Sequence, residues 1–497
     1  MSLSILILVP FLTALFVIFC RTNEQVKWTS LIGSVIQLGG AGAFFAKYVI
    51  MRKAGLTNQY LFEETHEWFR SMNINYHIGI DGIAIAMILL TALVVVAGVL
   101  VSWKVEHQTK EFFLLLVLLS TGAYGFFVSI DLFTMFFFLE LAVIPKFLLI
   151  GIWGSGRKEY SAMKLALMLM GGSALVLIGL IITYFNSDIG GGAHSYNLIE
   201  LAKHPINWPA QLIAFPFLFA GFGVFTAMFP FHTWAPDGHS SAPTAASMFL
   251  AGISMKLGGY GCLRVAVYLL PDAAQHYSWI IVLLAAIAIF YGSFATMMQK
   301  DLKYINAYSS VSHCGFVLLG IGMLTKTAIT GAVMQMVSHG LMTALFFAAI
   351  GMIYERTHTR DVAKMSGLLK VIPFLSTIFI IAGLCSLGLP GLSGFAAEMT
   401  VFQGSWMRPE TFYRVATVLG CLSIVVTAVY ILRASGKVIM GPIEDEHHKH
   451  LFDARWNEKL ASIILLVAIL AIGTAPFWLT DLLNPASDII MNHLTAR

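Results

Sequence analysis

Apolar residues in this chain fall in long, almost unbroken runs separated by short polar stretches. That pattern belongs to helices packed in lipid, not to alternating strands or to the one-sided helices of a water-soluble core. A membrane helix needs about 20 predominantly apolar residues. Runs of that order lie at about 3–20, 28–50, 80–103, 111–130, 132–153, 162–185, 211–229, 243–269, 278–299, 303–324, 328–354, 371–405, 412–435 and 459–480, which predicts about fourteen spans. The twelfth run is too long for one crossing. It is interrupted by Gly388-Leu389-Pro390-Gly391-Leu392-Ser393-Gly394, which does not continue a helix. The polar stretch after the seventh run, with Pro230, Pro236 and Gly238, is a second interruption. Broken helices persist at membrane depth only where they are buried in protein or line water. Breaks in the seventh and twelfth spans therefore predict two internal repeats that share a polar path. The expected fold class is an all-α membrane protein.

Composition agrees with this pattern: 58% of the 497 residues are hydrophobic and 11% are charged. The net charge of +4 is spread over loops, which leaves no basic face for nucleic acid. Cys20, Cys262, Cys314, Cys385 and Cys421 all sit in apolar runs without C-x-x-C spacing, so they read as small buried residues, not as disulfides or cluster ligands. No Walker loop, zinc motif, dinucleotide fingerprint or haem pair is present. The first run lacks a basic leader and a small-residue cleavage site, so it is expected to remain as a span.

Basic residues set the orientation. Odd-numbered loops carry Lys104, Lys110, Arg157, Lys300, Arg356 and Arg360 among others, and even-numbered loops carry far fewer. The hinge at 231–242 is then cytoplasmic, or its topological equivalent, and both termini lie on the opposite side. The longest outer loop, 51–77, mixes Glu63, Glu64 and Glu67 with aromatics and is expected to form an ordered cap. The last residues, 484–497, suit a short interfacial helix.

Ionisable residues inside the spans are the candidate chemistry. Glu140 lies in the fifth, Lys256 near the middle of the eighth, His313 and His339 near the centres of the tenth and eleventh, and Glu398 just after the break in the twelfth. A single buried histidine is more often a hydrogen-bonded packing residue. A charge at membrane depth costs roughly 2.5–3.5 kcal/mol or more, and such charges default to function. Burial raises carboxylate and lowers lysine pKa values toward neutrality. Carboxylate, lysine and imidazole at similar depth on separate helices are what a proton relay needs, with Coulomb coupling passing each movement on. No energy source is encoded, so such a transporter is either coupled to an ion gradient or a subunit of something larger. Protons suit this set better than sodium, since no cluster of oxygen ligands is visible.

The segments FFFLELAVIP, FHTWAPDGHSSAPTAASMFLAGISMKLGGYG, DLKYINAYSSVSHCGF, VSHGLMTALFFAAIGMIYERTHTRD and GLPGLSGFAAEM together resemble the proton-translocating, antiporter-like membrane subunits of respiratory complex I, of the chain M type in the Mrp antiporter superfamily. The resemblance runs nearly end to end. It implies about fourteen helices: N-terminal spans in 1–110, two inverted five-helix repeats in 111–270 and 271–440 with discontinuous helices seven and twelve, and a loop, last span and tail in 441–497. It also implies proton pumping driven by quinone reduction elsewhere in an NADH:quinone oxidoreductase, with Glu140, Lys256, His313, His339 and Glu398 as the relay. No cofactor is implied in this chain; FMN, iron–sulfur clusters and quinone are expected in partner subunits. The implied partners are other membrane subunits, including neighbouring antiporter-like ones, and the lipid bilayer, with the bacterial inner membrane as location. Mrp-type cation/proton antiporter and membrane-hydrogenase subunits share most of these motifs.

One position departs from the family. Where helix seven usually carries a lysine paired with the helix-five glutamate, this chain has Phe225. Lys146 follows Glu140 by six residues, about 240° around a regular helix, and is not expected on the same face. Lys164 is therefore the expected partner of Glu140.

Overall fold

The structure is a computed structural model that describes residues 2–190 and 192–495. Helices dominate: α1 (Ile5–Phe19), α2 (Asn23–Lys53), α3 (Gly82–Val101), α4 (Thr109–Val128), α5 (Leu132–Leu141), α6 (Val143–Trp153), α7 (Lys158–Phe185), α8 (Leu198–Lys203), α9 (Trp208–Phe225), α10 (Trp234–Ser241), α11 (Thr244–Phe249), α12 (Met255–Gly261), α13 (Pro271–Met297), α14 (Leu302–Gly322), α15 (Lys326–Thr357), α16 (Pro373–Ser386), α17 (Ser393–Trp406), α18 (Thr411–Ile439), α19 (Trp456–Thr474) and α20 (Phe477–Thr495). Among the described residues, ten helical segments are long and apolar enough to cross a membrane, α5 and α6 together forming one of them. The expected runs at 3–20, 243–269, 303–324 and 371–405 fall outside that set. The first is a 15-residue helix. The second and fourth are segmented, and α14 is diluted by Lys303, Asn306 and the serines around His313.

The long loop before α3 forms a two-stranded antiparallel hairpin, β1 (Leu61–Phe69) with β2 (Ile74–Ile80). Its far end runs into Asp81, which caps α3 by accepting from the N–H groups of Ile83 and Ala84 at 3.1 and 2.9 Å. Asp81 also forms a buried ion pair with Arg264. The expected last span, 459–480, ends earlier, at Thr474. Pro476 starts a separate helix, α20, whose inner face packs on α3 and α15. The expected terminal helix at 484–497 is part of it; 496–497 lie outside the described residues.

Two elements position the candidate site. Helix α15 is buried at every residue from Ala328 to Ile353, so Gln335 and His339 sit at the centre of the bundle. The eighth apolar run is not one α-helix. Lys256 lies on α12, a short α-helical piece between π-helical turns at Leu250–Ser254 and Cys262–Val267. Such widened turns are frequent at functional sites. Gly252 and Gly340 let the two backbones meet: a Cβ on Gly340 would stand 2.7 Å from the Gly252 carbonyl oxygen, and one on Gly252 would stand 3.3 Å from that of Gly340. His339 and Lys256 are thereby brought within reach of each other.

Candidate functional site

The Lys256 side chain is buried, and its ammonium donates to the Ala251 carbonyl at the π turn and to His339 Nδ1 at 2.8 Å. An ammonium has protons to give and no lone pair to offer, so Nδ1 of His339 must be unprotonated in this arrangement. Cys314 Sγ lies 3.9 Å from the same nitrogen. The His339 ring stacks on His313, with centroids 5.3 Å apart. His313 Nε2 meets Ser386 Oγ at 3.0 Å. Its Nδ1 lies 3.2 Å from Gln335 Nε2 and 3.4 Å from Glu398 Oε1. A hydroxyl and an amide both donate and accept, so Ser386 and Gln335 can serve either protonation state of His313.

Glu398 is buried beside the break between α16 and α17. Gly388, at φ +75°, makes the turn that admits it: a Cβ there would lie 2.7 Å from Glu398 Oε2. Lys256, His339, His313 and Glu398 thus form a continuous row across α12, α15, α14 and α17.

Glu140 stands apart from this row and is only partly buried. The expected pairing with Lys164 is not what the structure shows: the Lys164 ammonium lies 2.7 Å from Asp237 Oδ2, and Tyr304 donates to the other oxygen at 3.1 Å. Lys146, on the second piece of the fifth span, is buried without a hydrogen-bond partner. The fifth span is not one regular helix, so a wheel at 100° per residue does not apply across it. It breaks at Ala142, between α5 and α6. Pro145 explains the break: it has no N–H to give to Leu141, and its ring crowds that carbonyl.

The sequence reading passed over His239. It is fully buried in the hinge, stacked 5.4 Å from Phe347, with both ring nitrogens lacking a hydrogen-bond partner. The charges of Lys256 and Lys303 both act on it, and Lys303 in turn donates to the Ala242 carbonyl at 2.7 Å. A histidine in a Pro/Gly-broken hinge next to the lysine-bearing run was the available signal. Among the described residues no cluster of three or more metal-ligating side chains occurs.

Helices surrounding a buried row of titratable groups, with breaks beside it, define a membrane ion-translocating subunit. Residues 129–427 match the family described as NADH:quinone oxidoreductase/Mrp antiporter, TM, and the chain belongs to that family. It is 34% identical to the NAD(P)H-quinone oxidoreductase chain 4 2 of Thermosynechococcus vestitus over 99% of this chain and 92% of that one. It is 35% identical to the NADH-quinone oxidoreductase subunit M of Rickettsia prowazekii over 95% of both. Its fold matches a chain in the structure of respiratory complex I from Thermus thermophilus with bound NADH, at a TM-score of 0.89 and 24% identity over 99% of this chain and 100% of that one.

Proposed function

We propose that this chain is a proton-translocating membrane subunit of an NADH:quinone oxidoreductase, and that Lys256, His339, His313 and Glu398 carry the proton. The single observation behind this is the 2.8 Å contact of the Lys256 ammonium with His339 Nδ1, continued by the stacked His313 to Glu398. Lys256 releases a proton to Nδ1. His339 then holds a proton on each nitrogen and passes one from Nε2 through a bridging water to His313, whose charged form pairs with Glu398. Protons enter from the loop side past Asp237, Lys164 and Tyr304 by way of His239. Glu140 lies off the row, where its charge answers a neighbouring antiporter-like subunit. Redox chemistry, with FMN, iron–sulfur clusters and quinone, belongs to partner subunits.

Two inverted repeats within about fourteen helices, with the hinge side cytoplasmic and both termini opposite, complete the proposal; a bacterial inner membrane suits this orientation. A correspondence between the halves supports the repeats. Asp131 caps α5 and bridges to Asn197, and Asp301 caps α14 and bridges to Asp361. Each bridge precedes a broken segment, at 226–233 in one half and 387–392 in the other.

The test is NADH-driven proton uptake by inverted membrane vesicles carrying Lys256→Met or Glu398→Gln in the assembled complex. Loss of uptake in both is expected. Unimpaired pumping in both would leave a scaffold role. Co-purification of small membrane proteins only, with no flavin-bearing partners, would favour a cation/proton antiporter instead.

A further inference from the structure

Lys146 is completely buried, and its ammonium has no hydrogen-bond partner. Glu140, on the preceding piece of the same broken helix, has a buried oxygen, Oε1, that also lacks one. The two groups lie on the two pieces of one broken helix, with no direct bond between them. The Lys146 ammonium lies 6.0 Å from the centroid of the Phe225 ring, at the end of α9 where that helix breaks. The break that separates the two charges is held by α4: a Cβ on Gly122 would meet Ala142 N and the Phe138 carbonyl at 3.0 Å.

The buried ion pair between Arg356 and Glu458 looks different. Arg356 bonds Glu458 at 2.6 and 3.2 Å and also donates to the carbonyls of Met352, Phe452 and Asp453. That pair is saturated and locked. Lys146 Nζ and Glu140 Oε1 have no such bonds, so the pair is free to close, open or change protonation.

We infer that Lys146 is the cation of a switchable ion pair with Glu140, set on one broken helix and presented to the break at Phe225, so that closing and opening the pair gates charge movement toward Lys256. This rests on the proton-relay reading and deepens it. When the pair is closed, the carboxylate holds the ammonium's field. When a neighbouring subunit draws Glu140 away, the uncompensated charge acts through the α9 break on the relay lysine. Lys146 is thus a positioning residue that acts through the relay.

The experiment compares Lys146→Met, Phe225→Lys/Lys146→Met and Lys256→Met in the assembled complex. The readouts are native-gel assembly, the ratio of protons taken up to NADH oxidised, and the infrared carboxyl stretch, assigned by its loss in a Glu140→Gln background. Lys146→Met should lower coupled pumping about tenfold and, by removing the counter-charge, produce a protonated-carboxyl band from Glu140. A lysine returned at 225 should restore pumping and abolish the band. Pumping that survives in Lys146→Met, or that stays lost in an assembled Phe225→Lys/Lys146→Met complex, would overturn the inference. If Lys146→Met alone fails to assemble, the double variant decides. The Lys256→Met arm is separate: its full activity would sink the relay reading itself.

Discussion

The Lys256 ammonium and His339 Nδ1 share a hydrogen bond of 2.8 Å between two helices that touch through glycine backbones, and its direction is fixed because only the nitrogen of the imidazole can accept. Replacing His339 by leucine leaves Lys256 with the Ala251 carbonyl as its remaining partner. In the proposed relay, the row then loses the group that both receives and passes on the proton. NADH-linked proton uptake by vesicles should drop about tenfold or more, with the complex still assembled on native gels. A variant that pumps at the normal ratio would show that the proton bypasses His339.

Gly340 allows a second test that changes no titratable group. A methyl there would stand 2.7 Å from the Gly252 carbonyl oxygen, so α15 and the π turn at Leu250–Ser254 must separate. That separation stretches the bond from Lys256 to His339. Gly340→Ala should therefore impair proton uptake while leaving the electron-transfer partners of the complex untouched, as judged by NADH oxidation with a soluble artificial acceptor. Normal coupling would mean that the close approach matters only for packing.

The long apolar runs and the two Gly/Pro-rich breaks made the helical membrane fold readable, because lipid permits so few alternatives for an exposed backbone. Two charges of the buried row were equally readable: Lys256 and Glu398 stand where apolar residues are the rule. Local departures from the regular helix were not readable. The π turns around Lys256 and the break at Ala142 arise from packing against neighbouring helices and, at Ala142, from Pro145. A wheel drawn at 100° per residue therefore sent Lys164 to Glu140, whereas the structure sends it to Asp237. His239 was missed because its burial comes from Phe347, more than a hundred residues further along the chain.

Outside the spans, Glu64 ties the start of the chain to the β hairpin. It accepts from Ser4 Oγ at 2.6 Å, from Ser2 Oγ at 3.0 Å and from the Leu3 N–H. Partial burial pushes its carboxyl upward, but these donors outweigh it and hold the group below its ordinary 4.5. The folded value is thus lower than the unfolded one. The tie is fully present above 4.5 and is lost as pH falls through the folded value. Hydrogen exchange at the first turn of α1 should stay slow from neutral pH downward, then accelerate on acidification. Glu64→Gln should remove that acid transition. A transition that persists unchanged in the variant would assign it to another group.

Arg356 tests stability in isolation from transport. Its guanidinium pairs with Glu458, both side chains almost wholly buried, and stacks 4.6 Å from the Phe452 ring centroid, joining α15 to the start of α19 and the loop before it. Arg356→Met keeps much of the volume but strands the Glu458 carboxylate, and breaking a buried pair in this way costs about 3–5 kcal/mol. The thermal transition of the purified complex should fall accordingly. Changing both partners together, Arg356→Met with Glu458→Gln, should recover part of the loss, because the uncompensated charge and not the missing bond dominates. A double variant as unstable as Arg356→Met alone would put the stabilisation in the carbonyl contacts of Arg356 instead.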